Sequence, residues 1–121
     1  MEKFLNMPTD QVTPQEVLDA LRSYQQQTPG MIQRGEYGEL SGRAAGLANL
    51  IDRYQTAGRT SFALMTTLPR FSRRLESMAE LTKRGKPYEH FERSHEQLLE
   101  EFLPIIDALD AILSEDFLAA V

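Results

Sequence analysis

Two histidines, His90 and His95, and no cysteine limit the chemistry that this chain of 121 residues can perform. Without cysteine, disulfides, thiolate nucleophiles and thiolate metal ligands are excluded. Glu92 precedes His95 by three residues, and on a helix this spacing brings a carboxylate and an imidazole to one point. A complete metal site needs further carboxylates and a second such pair, which a second copy would have to supply. We expect no metal and no cofactor in the single chain, and keep a metal-binding dimer as an alternative.

Arg84 and His90 are separated by five residues, and this spacing resembles the ribonuclease motif of HEPN domains, which are also helical bundles of about this size. The resemblance implies an RNA-cleaving enzyme in which Arg84 binds phosphate and His90 assists the attack of a 2′-hydroxyl. The arginine has a structural interpretation as well, because a cation near a helix C-terminus is favoured by the helix dipole. His95 lies on a predicted apolar face, which favours a buried core or interface residue over a ligand.

The elements that must position these residues are helices, since no alternating strand pattern is present. A helix start is predicted at Thr13-Pro14-Gln15-Glu16, where an N-cap threonine, a first-turn proline and a glutamate coincide. Apolar residues then recur at spacings of 4 and 3 in three segments: Leu40, Ala44, Leu47, Ile51, Tyr54; Leu64, Leu68, Phe71, Leu75, Met78; and Phe91, His95, Leu98, Phe102, Ile105, Leu109, Ile112. This spacing is typical of left-handed bundle packing.

We therefore predict an all-α fold, a single up-and-down antiparallel bundle of about four helices over residues 1–121. Residues 1–10 and 115–121 are expected to be frayed ends, and Leu75, Leu98 and Phe102 are expected in the core. Glycine and proline predict the boundaries: Pro29-Gly30, Gly58 and Gly85 end the first three helices, and the fourth begins near Pro87. Pro69 and Pro104 should kink the long third and fourth helices.

Three glycines at positions 38, 42 and 46 recur every four residues, which is a helical spacing rather than that of a phosphate-binding loop. On a helix, Gly38, Gly42, Ala45, Gly46 and Asn49 fall opposite the apolar face. A glycine inside a helix costs about 1 kcal/mol relative to alanine, but small residues allow a second backbone to approach closely. This set is predicted to contact another helix, from a second copy, a different protein or this chain. Whether residues 35–42 are loop or helix stays open.

Charge is unevenly distributed, although the net charge is only −5. Residues 59–93 hold eight basic and four acidic side chains, whereas residues 94–121 hold seven acidic and no basic ones. Arg70, Arg73 and Arg74 form a secondary basic patch. Either the charges of neighbouring antiparallel helices neutralise each other, or the basic patch and the acidic patch serve as two separate surfaces.

The sequence favours a non-enzymatic helical protein-interaction module, such as an adaptor, a secretion-type chaperone or a small regulator or inhibitor of a larger assembly. No nucleophile–base arrangement and no cofactor loop are present. No apolar run reaches the roughly 18 residues that span a bilayer, and the N-terminus lacks a signal-peptide core, so a cytoplasmic location is expected. The expected partner is another protein, including a second copy in a homodimer, rather than a membrane or a nucleic acid, because the net charge repels both.

Overall fold

The computed structural model describes residues 12–57 and 61–120, and the regular secondary structure in these ranges is entirely helical. The helices are α1 (Pro14–Gln33), α2 (Tyr37–Ala57), α3 (Phe62–Thr82), α4 (Phe91–Glu100) and α5 (Phe102–Ala120). α1 packs against α2 and α5, and α3 also packs against α2 and α5, so α4 and α5 together form the fourth limb. The predicted all-α bundle is confirmed.

The first helix begins as predicted and ends later than predicted. Thr13 Oγ1 accepts a hydrogen bond from the Glu16 N–H, and the Glu16 carboxylate accepts one from the Thr13 N–H, both at 3.1 Å. The expected end at Pro29-Gly30 is wrong, because α1 continues to Gln33. Proline removes one helical hydrogen bond, but continuing the helix buries Met31 and lets the Arg34 N–H donate to the carbonyl of Gly30.

The second helix includes the glycines whose conformation the sequence left open. α2 begins at Tyr37, so residues 37–42 are helical, and it ends at Ala57; the predicted stop at Gly58 lies outside the described residues. α3 follows an N-cap at Ser61, whose Oγ accepts from the Leu64 N–H at 3.4 Å. It ends at Thr82, whose carbonyl accepts from the Gly85 N–H, and Gly85 takes a φ of 86° that suits glycine.

The two proline positions have different effects. α3 continues through Pro69 without a division, whereas the fourth limb is interrupted at Glu101, three residues before Pro104. Pro104 has no N–H to donate to the carbonyl four residues earlier, which is that of Glu100. At the break, the Glu101 N–H donates to the carbonyl of Leu98 at 3.1 Å, three residues earlier, which is the spacing of a 3₁₀ turn. The predicted kinks are thus only partly confirmed. The fourth limb also begins at Phe91, later than the predicted Pro87.

The core is formed by the residues whose spacing of 4 and 3 predicted it. Leu75, Leu98 and Phe102 are all buried, as expected. The Phe102 ring meets Phe71 edge-on, with centroids 5.1 Å apart, and lies 5.5 Å from the Tyr24 ring. Rings from α1, α3 and α5 therefore meet at the centre of the bundle. Of the expected frayed ends, residues 1–10 lie outside the described ranges, and α5 continues to Ala120.

Replacing Phe102 with alanine should lower the free energy of unfolding by about 3–5 kcal/mol, because it leaves a cavity between three helices. Urea unfolding followed by circular dichroism measures this loss. Leu81→Ala is the control, since Leu81 is exposed on α3 and should change stability by less than about 1 kcal/mol. Equal losses in the two variants would contradict the central position of Phe102.

Candidate functional site

His95 is buried in the bundle and bonded to a residue of another helix. Its Nε2 lies 3.0 Å from the hydroxyl oxygen of Tyr24, so this hydrogen bond joins α4 to α1. Only 4 % of His95 and 3 % of Tyr24 is exposed. The imidazole is therefore part of the packing between helices and is closed to a substrate from solution.

An aromatic cluster surrounds this pair. The Phe91 ring stacks on His95 at a centroid distance of 5.4 Å and an angle of 17°. Tyr37 and Tyr88 then meet Phe91 edge-on, at 5.3 Å and 5.4 Å. The rings come from α1, α2, the α3–α4 connection and α4, so the cluster fixes α4 at one end of the bundle.

Burial keeps both partners of the hydrogen bond uncharged. It lowers the pKa of His95 below its usual 6.5, and together with a smaller contribution from Tyr88 it raises the pKa of Tyr24. No carboxylate contributes to the shift of the His95 pKa. A neutral phenol and a neutral imidazole in a closed site are suited to packing, and they offer neither a general base nor a nucleophile to a ligand.

Neither pair of residues in the two enzyme-like alternatives is joined by a hydrogen bond or an ion pair in the part of the chain that the structure describes. Glu92 is exposed on α4, whereas His95 points into the core and uses its Nε2 for Tyr24. Arg84 and His90 are both exposed, and the described residues include no hydrogen bond between them; His90 instead lies 3.2 Å from the carboxylate of Glu89. Within residues 12–57 and 61–120, no group of three or more potential ligands could hold a metal ion.

The outer face of α2, defined by Gly38, Gly42, Ala45, Gly46 and Asn49, is exposed along its whole length. A Cβ atom built at Gly42 or Gly46 would meet no heavy atom within 4 Å, and at Gly38 the nearest is the Cα of Gly85 at 4.0 Å. None of the described helices covers this face, so α1 is not the predicted contact. The N-terminal tail, the other predicted contact within the chain, lies outside the described residues.

Two shallow grooves flank this face. The groove between α1 and α2 has a volume of about 280 Å³ and is lined mainly by apolar atoms, including those of Ala20, Leu47 and Leu50 beside Gly46. The groove between α2 and α3 has a volume of about 350 Å³ and is lined by Ala45 and Asn49 together with charged side chains. The face is thus a ridge of small residues between two depressions.

Two serines that the sequence patterns did not single out hold α2 against α3. The Ser41 hydroxyl donates to the carbonyl of Ala79 at 2.5 Å, and the Ser72 hydroxyl donates to the carboxylate of Asp52 at 2.7 Å. The only sign of them in the sequence is a small polar residue at the border of an apolar helical face. These bonds orient the ridge, because they set how α2 lies on its neighbour.

The secondary basic patch divides into paired and exposed members. Arg74 pairs with Glu101 at 2.7 Å, which links α3 to the α4–α5 break. Arg70 and Arg73 are exposed, and neither forms an ion pair with any residue that the structure describes. The patch is therefore not a single site.

Comparison of the chain with models of protein families, with curated proteins and with solved structures gives no match. Among the described helices, none combines the length and the apolar content that crossing a membrane requires.

Tyr24→Phe should lower the free energy of unfolding by about 1–3 kcal/mol, since it leaves the buried Nε2 of His95 without its partner. Tyr88→Phe is the matched control. The Tyr88 hydroxyl donates to Ser94 at a half-buried position, where water can replace it, so the loss should be smaller. Urea unfolding compares the two, and a larger loss in Tyr88→Phe would contradict the assigned role of Tyr24.

Stability should fall when the pH drops below about 6.5, because the lowered pKa of His95 means that the unfolded chain binds the proton more tightly. The contribution of neutral His95 is complete above pH 6.5 and is lost as the pH falls through the lower pKa of the folded state. Urea unfolding at several pH values gives the free energy of unfolding of the wild type and of His95→Gln. The difference between the two values at each pH is the contribution of His95. A difference that does not change with pH would refute the prediction.

Proposed function

We propose that the chain is a non-enzymatic helical protein-interaction module and that the outer face of α2 binds a helix of a partner protein. An adaptor, a secretion-type chaperone and a small regulator or inhibitor of a larger assembly all act in this way. The observation that carries the proposal is the position of Gly42 and Gly46. Both are exposed inside a helix, and no neighbour within residues 12–57 and 61–120 requires the absence of a side chain there.

The part of the fold that the structure describes gives no reason for these two glycines. Each costs about 1 kcal/mol relative to alanine inside a helix. Among the described glycines only Gly35 and Gly85 have a positive φ, so the backbone of α2 does not demand glycine at 42 or 46. A contact from outside the chain supplies a reason, because a backbone can approach a ridge without Cβ atoms more closely.

The grooves beside the ridge suit the larger side chains of such a helix. Ala20 and Leu50 are half-buried and offer apolar surface on the α1 side. On the α3 side, the exposed carboxylates of Asp52 and Glu76 offer acceptors for basic or polar side chains. A helix that lies along the ridge would therefore be bound by small residues at its centre and by side chains in both grooves.

We place this role in the cytoplasm, with a protein as the partner. The net charge of −5 opposes binding to nucleic acid and to anionic membranes. A second copy that uses the same face is the alternative occupant, and forms a symmetric homodimer through one self-complementary patch. The RNA-cleaving and metal-binding alternatives gain no support from a hydrogen bond between Arg84 and His90 or between Glu92 and His95 among the described residues.

Gly46→Ala should raise the free energy of unfolding of the isolated chain by about 0.5–1 kcal/mol, through helix propensity alone. Gly35→Ala is the opposite control, since the φ of 73° at Gly35 is strained for any other residue, and stability should fall by about 1 kcal/mol. Urea unfolding of dilute protein gives both values. A destabilised Gly46→Ala variant would show that the chain itself occupies the ridge.

Gly46→Leu tests the proposed function, with Gln26→Leu on the exposed surface of α1 as the matched control. Both variants should keep the helical circular dichroism spectrum of the wild type. Proteins captured from the native host by the wild type and by Gln26→Leu should be lost with Gly46→Leu. If Gly46→Leu retains every partner, the ridge is not the docking site.

Two further measurements test the alternatives. Light scattering that shows a wild-type dimer and a Gly46→Leu monomer would identify a second copy as the occupant. RNA cleavage by the purified protein would refute a non-enzymatic role.

A further inference from the structure

A second apolar stripe lies on the outer side of α3, away from the core. Phe62, Met65 and Pro69 follow at spacings of 3 and 4, which places them on one face of the helix. Phe62 is 80 % exposed and Met65 is 62 % exposed. Single exposed apolar residues are ordinary, but two large ones on one face form a patch that gains from being covered.

Positive charge adjoins this patch. Residues 62–75 contain three arginines and no acidic side chain. Arg74 is bound to Glu101, but Arg70 and Arg73 are exposed and form no ion pair with any described residue. Arg73 follows Pro69 by four residues and continues the same face. We call the surface of Phe62, Met65, Arg70 and Arg73 the basic α3 surface.

The fourth limb carries a surface of the opposite charge. Glu96, Glu100, Leu103 and Asp107 follow at spacings of 4, 3 and 4, and all four are exposed, Leu103 to 62 %. Residues 94–115 contain no basic side chain. We call these four residues the acidic α4–α5 surface. It combines one large exposed apolar side chain, Leu103, with charges of one sign.

Ion pairs among the described residues do not involve the charged side chains of the basic α3 surface or of the acidic α4–α5 surface. Among the described residues, Arg74–Glu101 is the one ion pair between α3 and the fourth limb, and Arg22–Asp110, at 3.8 Å, links the limb to α1. These two pairs leave the charges of the basic α3 surface and of the acidic α4–α5 surface without an ion pair among the described residues. Charges of opposite sign remain exposed on two separate helices of the same molecule.

We propose that the basic α3 surface of one copy binds the acidic α4–α5 surface of a second copy. Phe62 and Met65 cover Leu103, while Arg70 and Arg73, which both follow this apolar pair, face Glu96 and Glu100, which both precede Leu103. Both apolar area and charge are therefore complementary. The contact joins different surfaces of the two copies, and each copy can therefore bind two neighbours. It uses none of the residues on the outer face of α2 and does not depend on the proposed function.

Light scattering across a concentration series should show masses that rise above that of the monomer. Raising the salt from about 0.1 M to about 1 M shortens the screening length from about 10 Å to about 3 Å and should return the protein to monomers. Phe62→Ser should also be monomeric at low salt, whereas Leu81→Ser, at the far end of α3, should associate like the wild type. A wild type that stays monomeric at low salt and high concentration overturns the proposal.

Charge reversal gives the sharper test. A variant with Arg70→Glu and Arg73→Glu has two acidic surfaces, and a variant with Glu96→Arg and Glu100→Arg has two basic ones, so each alone should be monomeric. An equimolar mixture restores both complementary contacts and should associate as the wild type does. A mixture that stays monomeric overturns the proposal, as does association that is abolished by Gly46→Leu and kept by Phe62→Ser, which would place the contact on α2.

Discussion

The hydrogen bond between Tyr24 and His95 determines how the shortest helix is held. α4 has ten residues, and a helix of that length is only marginally stable in water without tertiary contacts. Its contacts converge on this bond and on the stacked ring of Phe91, in a site from which water is excluded. Because α4 is anchored to α1, the chain can break at Glu101 and resume as α5 while the limb stays within the bundle.

Local signals in the sequence predicted much of this fold. The spacing of 4 and 3 identified the buried residues of α2, α3 and the fourth limb, and the capping box at Thr13 gave the start of α1. The end of α1 could not be predicted locally, because Pro29 is a helix breaker whose cost is opposed by the burial of Met31 against other helices. The contacts of Ser41 and Ser72 with α3 and α2 likewise depend on neighbours about 20 to 40 residues away in the chain.

The candidate site was predictable only in outline. The helical spacing of the glycines implied a ridge on α2, and the structure shows that ridge exposed. The partner that we propose for it would contribute its own surface, which this sequence does not contain. The position of His95 on an apolar face indicated burial, yet its partner Tyr24 is 71 residues away and belongs to no shared motif. The charge pattern allowed two interpretations, because ion pairs between helices depend on which exposed side chains the fold brings close to each other.

The order of packing around the bundle also has a consequence for the number of simultaneous contacts. α1 and α3 each touch both α2 and α5, so α2 and α5 occupy opposite corners of the bundle. A molecule seated on one corner leaves the other accessible to solvent. The two proposed binding surfaces, the small-residue ridge on α2 and the charged surface on α4–α5, therefore lie on opposite sides of the core, and binding at one does not block the other.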